Sequence, residues 1–198
     1  MLKIVSDSPW LTSVTFYQAM DITDEILIDL FTRSRGSLKY VNLSLCSHIG
    51  SDPVIALVKH HPNLLSLNLS YTSLTGQGLQ VLHHLEHLTD LSLEGCFNLT
   101  RTSMSLFLQR NLPPRLAKLN LAYLFTVLGE WLAALNSNVK LERLDLRHVE
   151  NVTKRDVRGV LKRWGTECEV LSTAKLETDD EFGWIHYVNE IITAQAVY

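Results

Sequence analysis

Six times along this chain a leucine is followed, after two residues, by an apolar residue, then one more residue, then a second apolar residue. The phrases start at Leu11, Leu38, Leu64, Leu88, Leu116 and Leu141, with a degenerate seventh at Leu171, so the starts lie 27, 26, 24, 28, 25 and 30 residues apart. A period in that range specifies a stacked solenoid. One short unit has too little surface to bury its own apolar face and must share a core with its neighbours.

The unit can be read from its alternation. In the second copy, Val41 and Leu43 fall on one face of a short strand, with Tyr40, Asn42 and Ser44 on the other. Leu67 and Leu69, Leu91 and Leu93, Leu119 and Leu121, and Leu144 and Leu146 repeat the pair, and Val14 and Phe16 carry it in the first copy. An apolar residue follows each strand (Ile22, Ile49, Leu74, Leu99, Val127, Val152), and Thr23, Thr75, Thr100 and Thr153 come next in four copies. A threonine there caps a helix start by accepting a backbone N–H bond. In the second copy Asp52 and Pro53 take that place, proline being suited to the first helical position. The segments beyond have helical apolar spacing: Ile26, Leu27 and Leu30; Val54, Leu57 and Val58; Val157, Val160, Leu161 and Trp164. Each unit therefore reads strand, turn, helix, return. The expected fold is an α/β solenoid with a curved parallel sheet inside and helices outside.

Charge and composition narrow the function. Of 198 residues, 46% are apolar and 20% charged, with a formal net charge of −3, which offers no general attraction to nucleic acid or anionic membranes. No apolar run approaches the roughly 20 residues of a membrane span, and the start is too weakly apolar for a secretory signal. Of the glycosylation patterns at Asn42, Asn68, Asn98 and Asn151 the first two are by-products of the repeat strand, and with no secretory signal expected all four are discounted, so an intracellular location, cytoplasmic or nuclear, is expected. There is no phosphate-binding glycine loop, no nucleophile elbow and no paired-carboxylate arrangement. A non-catalytic chain without cofactor is expected. His83 and His87 have helical spacing for a shared metal, but no third or fourth ligand accompanies them.

Cys46 and Cys96 each lie eight residues after their leucine, and Cys168 lies three before Leu171, a slot that His61 and Pro113 fill before Leu64 and Leu116. Two repeats separate Cys46 from Cys96, about 10 Å at a strand spacing of about 4.8 Å, beyond the roughly 7 Å that a disulfide bridges. Buried structural thiols follow.

Leu38, Val41, Leu43, Cys46 and Ile49, then His61, Pro62 and Leu64, form a pattern that resembles the cysteine-containing leucine-rich repeat of F-box/leucine-rich-repeat proteins. Leu88 to Thr100, with Cys96 and Leu99, matches it again, and Val152, Thr153 and Cys168 contribute to the sixth copy. The resemblance covers about residues 10–176. It implies a substrate receptor or adaptor of a ubiquitin ligase, whose repeats hold a protein and whose F-box docks the ligase core. Trp10 and Leu11 look like the junction after an F-box. Nine residues precede Trp10, too few for one, so a fragment or a stand-alone repeat protein is expected. The alternative is a constitutive scaffold subunit of a multiprotein complex.

The inner face is the usual binding surface of that family. Its candidates here are Tyr17, Tyr40, Tyr71, Glu94, Lys118, Tyr123, Arg143 and Arg147, since tyrosine and arginine bring large area and forked donors. The column Asn42, Asn68, Asn120 and Asp145 reads as strand chemistry. The fifth copy lacks its threonine and adds Leu124, Phe125, Leu128 and Trp131, which read as a locally fatter core or, with Phe125 and Trp131 as candidates, as an exposed apolar patch for a partner. The segment with Lys154, Arg155, Arg158, Lys162 and Arg163 carries only Asp156 as an acid and reads as a solvated outer face or a dock for an acidic partner.

Three segments are expected: an N-terminal edge segment over 1–10, the solenoid over 11–176, and an acidic linker with a capping helix over 177–198. Thr178 and Glu181 form a capping box there, followed by the stripe Phe182, Ile185, Val188 and Ile191/Ile192. An open solenoid end exposes core and needs such a cover.

Overall fold

The computed structural model describes residues 10–34, 38–135, 139–164, 168–173 and 190–192. Seven short strands stack in chain order as one parallel sheet: β1 (Ser13–Thr15), β2 (Tyr40–Asn42), β3 (Ser66–Asn68), β4 (Asp90–Ser92), β5 (Lys118–Asn120), β6 (Arg143–Leu146) and β7 (Glu169–Ser172). An eighth strand, β8 (Glu190–Ile192), pairs antiparallel with β7. The helices between them are α1 (Asp24–Arg33), α2 (Asp52–His60), α3 (Gly76–Gln80) with a 3₁₀ extension over Val81–His84, α4 (Arg101–Arg110), α5 (Gly129–Ala133) and α6 (Lys154–Trp164).

The strand register is that of the repeat. Val14, Val41, Leu67, Leu91, Leu119 and Leu144 stand opposite one another down the sheet, each buried, and form one continuous core with the apolar residues of the helices. At roughly 1.5–3 kcal/mol for each fully buried aliphatic side chain, this column is the main cohesive element of the stack. Beyond each of β1–β5 the ladder continues for two more backbone hydrogen bonds, and in the sixth unit the His148 N–H donates instead to Thr173 Oγ1 at 2.6 Å. Leu43 N–H, for example, donates to the Asn68 carbonyl at 2.9 Å, and Leu45 N–H to the Ser70 carbonyl at 2.8 Å. The second donor sits seven residues after the leucine and is left-handed in every unit from the first to the sixth: Gln18, Leu45, Tyr71, Gly95, Tyr123 and His148, with φ between 53° and 62°.

The asparagine column supports this turn. Asn42, Asn68 and Asn120 accept through Oδ1 from the backbone N–H two residues on, each at 2.9 Å, as Asp145 does at 3.1 Å. The side chain thus replaces a ladder bond where the backbone bends away.

Helix starts follow the threonine rule in three copies. Thr23 accepts from Ile26 N–H, Thr100 and Ser103 form a reciprocal box, and Thr153 does the same with Asp156. Thr75 differs. Its hydroxyl faces Ser51 Oγ at 2.8 Å in the preceding unit and does not cap α3. The cap of α2 is Ser51 rather than Asp52, and Asp52 and Pro53 lie in its first turn.

The seventh unit is framed differently from its sequence. Val170, not Ala174, stands opposite Leu144, which moves the start of the unit from Leu171 to position 167. That frame keeps the loop length of the other units, whereas Leu171 as a start demands a longer return. At 190–192, where the helical stripe predicts Ile191 and Ile192 on a capping helix, the backbone is a strand. A pair of β-branched isoleucines beside the edge of β7, with its unmet N–H and C=O groups, favours pairing over a helix. The rest of the expected capping helix and the edge segment over 1–9 lie outside the described residues. Among the described residues, no helix is long and apolar enough to cross a membrane.

All three cysteines are free and buried. Cys46 donates to the Phe16 carbonyl at 3.2 Å and Cys96 to the Leu69 carbonyl at 3.0 Å, so each thiol ties its unit to the end of the strand in the unit before. Burial pushes the Cys96 and Cys168 thiols up to about 11. At pH 8 about a thousandth of such a group is thiolate, the reactive form. The expected result is that Cys96 resists alkylation in the native protein by a factor of at least ~10³ relative to a free thiol, and that all three cysteines react on unfolding. Peptide mapping after timed alkylation checks this, and fast native labelling of Cys96 would refute its burial in the stack.

Candidate protein-binding surfaces

The sheet face opposite the helices carries the side chains two, four and six residues after each leucine. Tyr17 and Tyr40 are 62% and 51% exposed on the first two units, and Lys118 and Arg143 are exposed on the fifth and sixth. Lys118 and Arg143 are register partners on β5 and β6. Arg143 approaches Glu169 at 3.6 Å with half of its side chain exposed, a pair of little energetic weight.

Between those two ends the candidates bind one another. Tyr71 donates its hydroxyl to Glu94 Oε1 at 3.1 Å, and Asn120 donates to Glu94 Oε2 at 2.9 Å. Burial, with the Glu94 bond second, pushes the Tyr71 phenol up to about 12, so it remains a donor at neutral pH. Arg147 holds Asp145 with a fork of bonds, Nε to both oxygens at 2.9 and 3.0 Å and Nη2 to Oδ2 at 2.6 Å. Asp145 is 4% exposed, so this arginine serves first to neutralise a buried carboxylate. Its bond to Asp145 holds Arg147 in its charged form, raising its pKa.

Of the two readings of the fifth unit, Trp131 follows the core one and is not part of an exposed patch. It is 8% exposed and belongs to the core with Leu124 and Leu132, while Leu128 packs against that core. Phe125 alone stays out, at 47% exposure, and it lies parallel to Phe97 at 6.2 Å between ring centres.

Phe97 is a residue that reading the inner face alone misses, as is His148. Phe97 meets Tyr71 edge-on at 6.1 Å, Tyr71 lies 6.4 Å from Tyr123, and Tyr123 stacks on His148 at 4.4 Å. The rings come from two columns, seven and nine residues after the leucine, where the strands end. Gly95 makes the contact possible: a Cβ there would stand 2.4 Å from the Tyr71 ring, and its φ of +62° suits glycine. An open hollow of about 170 Å³ is lined by Tyr71, Phe97, Gly95, Ser47 and Asn98.

On the outer surface, α6 turns Val157 and Val160 inward and exposes Arg155, Arg158 and Lys162, while Arg163 bonds the Leu135 carbonyl at 3.0 Å. His83 faces the Gln80 carbonyl and lies tilted against His84, and His87 faces Arg115. Among the described residues no three His, Cys, Asp or Glu side chains are grouped to hold a metal.

No protein-family model matches the chain. Among solved structures, a chain in the crystal structure of the yeast Rad7–Elc1 complex superposes with a TM-score of 0.63 at 22% identity, over 86% of this chain and 45% of its own. This chain thus spans less than half the length of that relative. The Caenorhabditis elegans tropomodulin C-terminal domain aligns with a TM-score of 0.48 and 11% identity over 82% of this chain and 90% of its own. The leucine-rich-repeat protein LegL7 of Legionella pneumophila aligns at 0.43 and 18% over 81% and 65%. The likeness to the yeast chain is one of architecture, and by its strand register, its helices and its recurring leucines the chain is a leucine-rich-repeat solenoid.

Proposed function

We propose that the chain is a non-catalytic protein-interaction module that holds a partner across the sheet face opposite its helices, as an adaptor or substrate receptor similar to the repeat half of F-box/leucine-rich-repeat proteins. The observation that carries this reading is the set Tyr17, Tyr40, Lys118 and Arg143. These are long, exposed, anchor-type side chains on a sheet whose other side is wholly core. A register-locked sheet holds them with little conformational freedom left to lose on binding, which favours affinity. The yeast neighbour was solved as part of a complex of two proteins, Rad7 and Elc1, which supports a protein partner for this fold.

Arg147 is a poor probe, because reversing its charge strands Asp145. The cleaner variant is Tyr40→Ala with Arg143→Glu. Both side chains are exposed and neither holds the fold. This variant is expected to lose at least tenfold in affinity for the partner recovered with the tagged wild-type chain, with its melting temperature within a few degrees. Undiminished affinity rejects the inner-face assignment. Recovery with ubiquitin-ligase components and short-lived clients supports the receptor role, and a fixed complex without them supports a scaffold instead.

A further inference from the structure

On the flank where the strands end, Tyr71 and Tyr123 continue into His148, while Phe97 and Phe125 occupy the parallel column nine residues after their leucines. Glu150 takes the next place in that second column. Phe97 is 60% exposed and Phe125 47%, a paired apolar surface that the core does not use. We propose that this flank is a second binding surface, separate from the inner face, which takes an extended segment of a partner protein bearing apolar residues at alternate positions and then a lysine or arginine.

Spacing argues for an extended chain. Successive side chains on one face of a strand lie about 6.6 Å apart, and the Phe97 and Phe125 rings are 6.2 Å apart and within 9° of parallel. A segment running along the solenoid axis therefore sets one apolar side chain on each ring at every second residue. A helix is about 10–12 Å across, and the hollow of about 170 Å³ beside Phe97 admits a side chain and not a helix.

Charge argues for the cation. One repeat beyond Phe125, Glu150 is exposed, and among the described residues no basic side chain pairs with it. Arg147 of the same unit is committed to Asp145. A lysine or arginine two residues after the second apolar position lays its aliphatic stem across the Phe125 ring and brings its head to Glu150. The contact gains from the negative face of the ring and from the carboxylate together. The phenylalanine pair and the Glu150 carboxylate thus define a reading order: apolar, any, apolar, any, basic.

The test uses the full chain, immobilised, and a displayed library of random decapeptides as probe. Enriched peptides are expected to share the alternating apolar pair followed at the next alternate position by Lys or Arg. Phe97→Ser with Phe125→Ser should weaken the best synthetic decapeptide at least tenfold with an unchanged circular-dichroism melt, since both rings are exposed. Glu150→Lys should switch the enriched basic position to Asp or Glu, a change of preference that misfolding does not produce. The inner-face variant Tyr40→Ala with Arg143→Glu should bind the decapeptide as the parent does, so failure here and failure of the inner-face reading are told apart. The proposal is overturned by absent enrichment, by helical or acidic motifs, by indifference to the phenylalanine pair, or by loss of binding in the inner-face variant.

Discussion

Leu91→Ala is expected to lower the stability of the whole solenoid by about 3–4 kcal/mol, within the range for burying and then emptying a leucine site. Leu91 is fully buried at the centre of the stack, opposite Leu67 on one side and Leu119 on the other. Neither neighbour can close the gap without leaving its own register, because each is held by parallel ladders in both directions. In a solenoid each unit is stabilised mainly by the two beside it, so a hole in the fourth weakens two interfaces at once. Against a total of roughly 5–15 kcal/mol for an ordinary domain, that is a large share. Val14→Ala, in the first unit, removes fewer atoms from a side chain that is 7% exposed and has one described strand beside it. About 1 kcal/mol is expected there, lost as local fraying of one end. Urea titration followed by circular dichroism, with hydrogen exchange to locate the opening, compares the two. Equal losses would mean that the units do not depend on their neighbours and would undo the account of the core.

How far the sequence could be read depended on which side chains the fold uses for burial and which for geometry. The apolar column was legible because burial selects chemistry: Val41, Leu67, Leu91, Leu119 and Leu144 are all aliphatic and all recur at one place. The left-handed column was hidden because the backbone imposes it on whatever stands there, and Gln18, Leu45, Tyr71, Gly95, Tyr123 and His148 share no chemistry. Aligning the units by their leucines does place Phe97 with Phe125 and Tyr71 with Tyr123, so the aromatic flank was within reach of the spacing. Only the ring contacts show that the two columns meet. The burial of Trp131 and the fork of Arg147 on Asp145 lie beyond the repeat pattern, which gives a side chain's column but not the neighbour it finds in the fold. The seventh unit slipped because Leu171 fits the consensus better than position 167, whereas hydrogen-bond register follows loop length and set Val170 beside Leu144.

His61 is the buried polar residue on which the stack should be most sensitive, and its loss should be both large and pH-dependent. The ring is fully buried between the first two units. Its Nδ1 accepts from Leu38 N–H at 3.3 Å, and its Nε2 lies 2.9 Å from the Phe31 carbonyl, which requires the proton on Nε2. The Phe31 carbonyl belongs to the last turn of α1, where intrahelical partners run out. The histidine therefore ties a helix end to the start of the next unit. His61→Ala unpairs two buried backbone groups and leaves a cavity, and a loss of about 3–5 kcal/mol is expected. Burial, the largest influence, holds the pKa of His61 below the usual 6.5, while its bond to Phe31 opposes this and His60 adds to it. With the folded value depressed, the neutral ring is the folded form. As pH falls below 6.5 the unfolded chain takes up a proton that the folded chain resists, so stability declines from there down to the folded pKa. Protonation would also set an Nδ1–H against the Leu38 N–H, donor against donor. The stability gap between the parent and His61→Ala should accordingly be full at pH 7.5 and narrower at pH 5.5, because the variant has no ring to titrate. Paired urea titrations at the two pH values measure it; a constant gap would mean that the ring titrates alike in the folded and unfolded chain, and a gap wider at pH 5.5 that it is charged when folded.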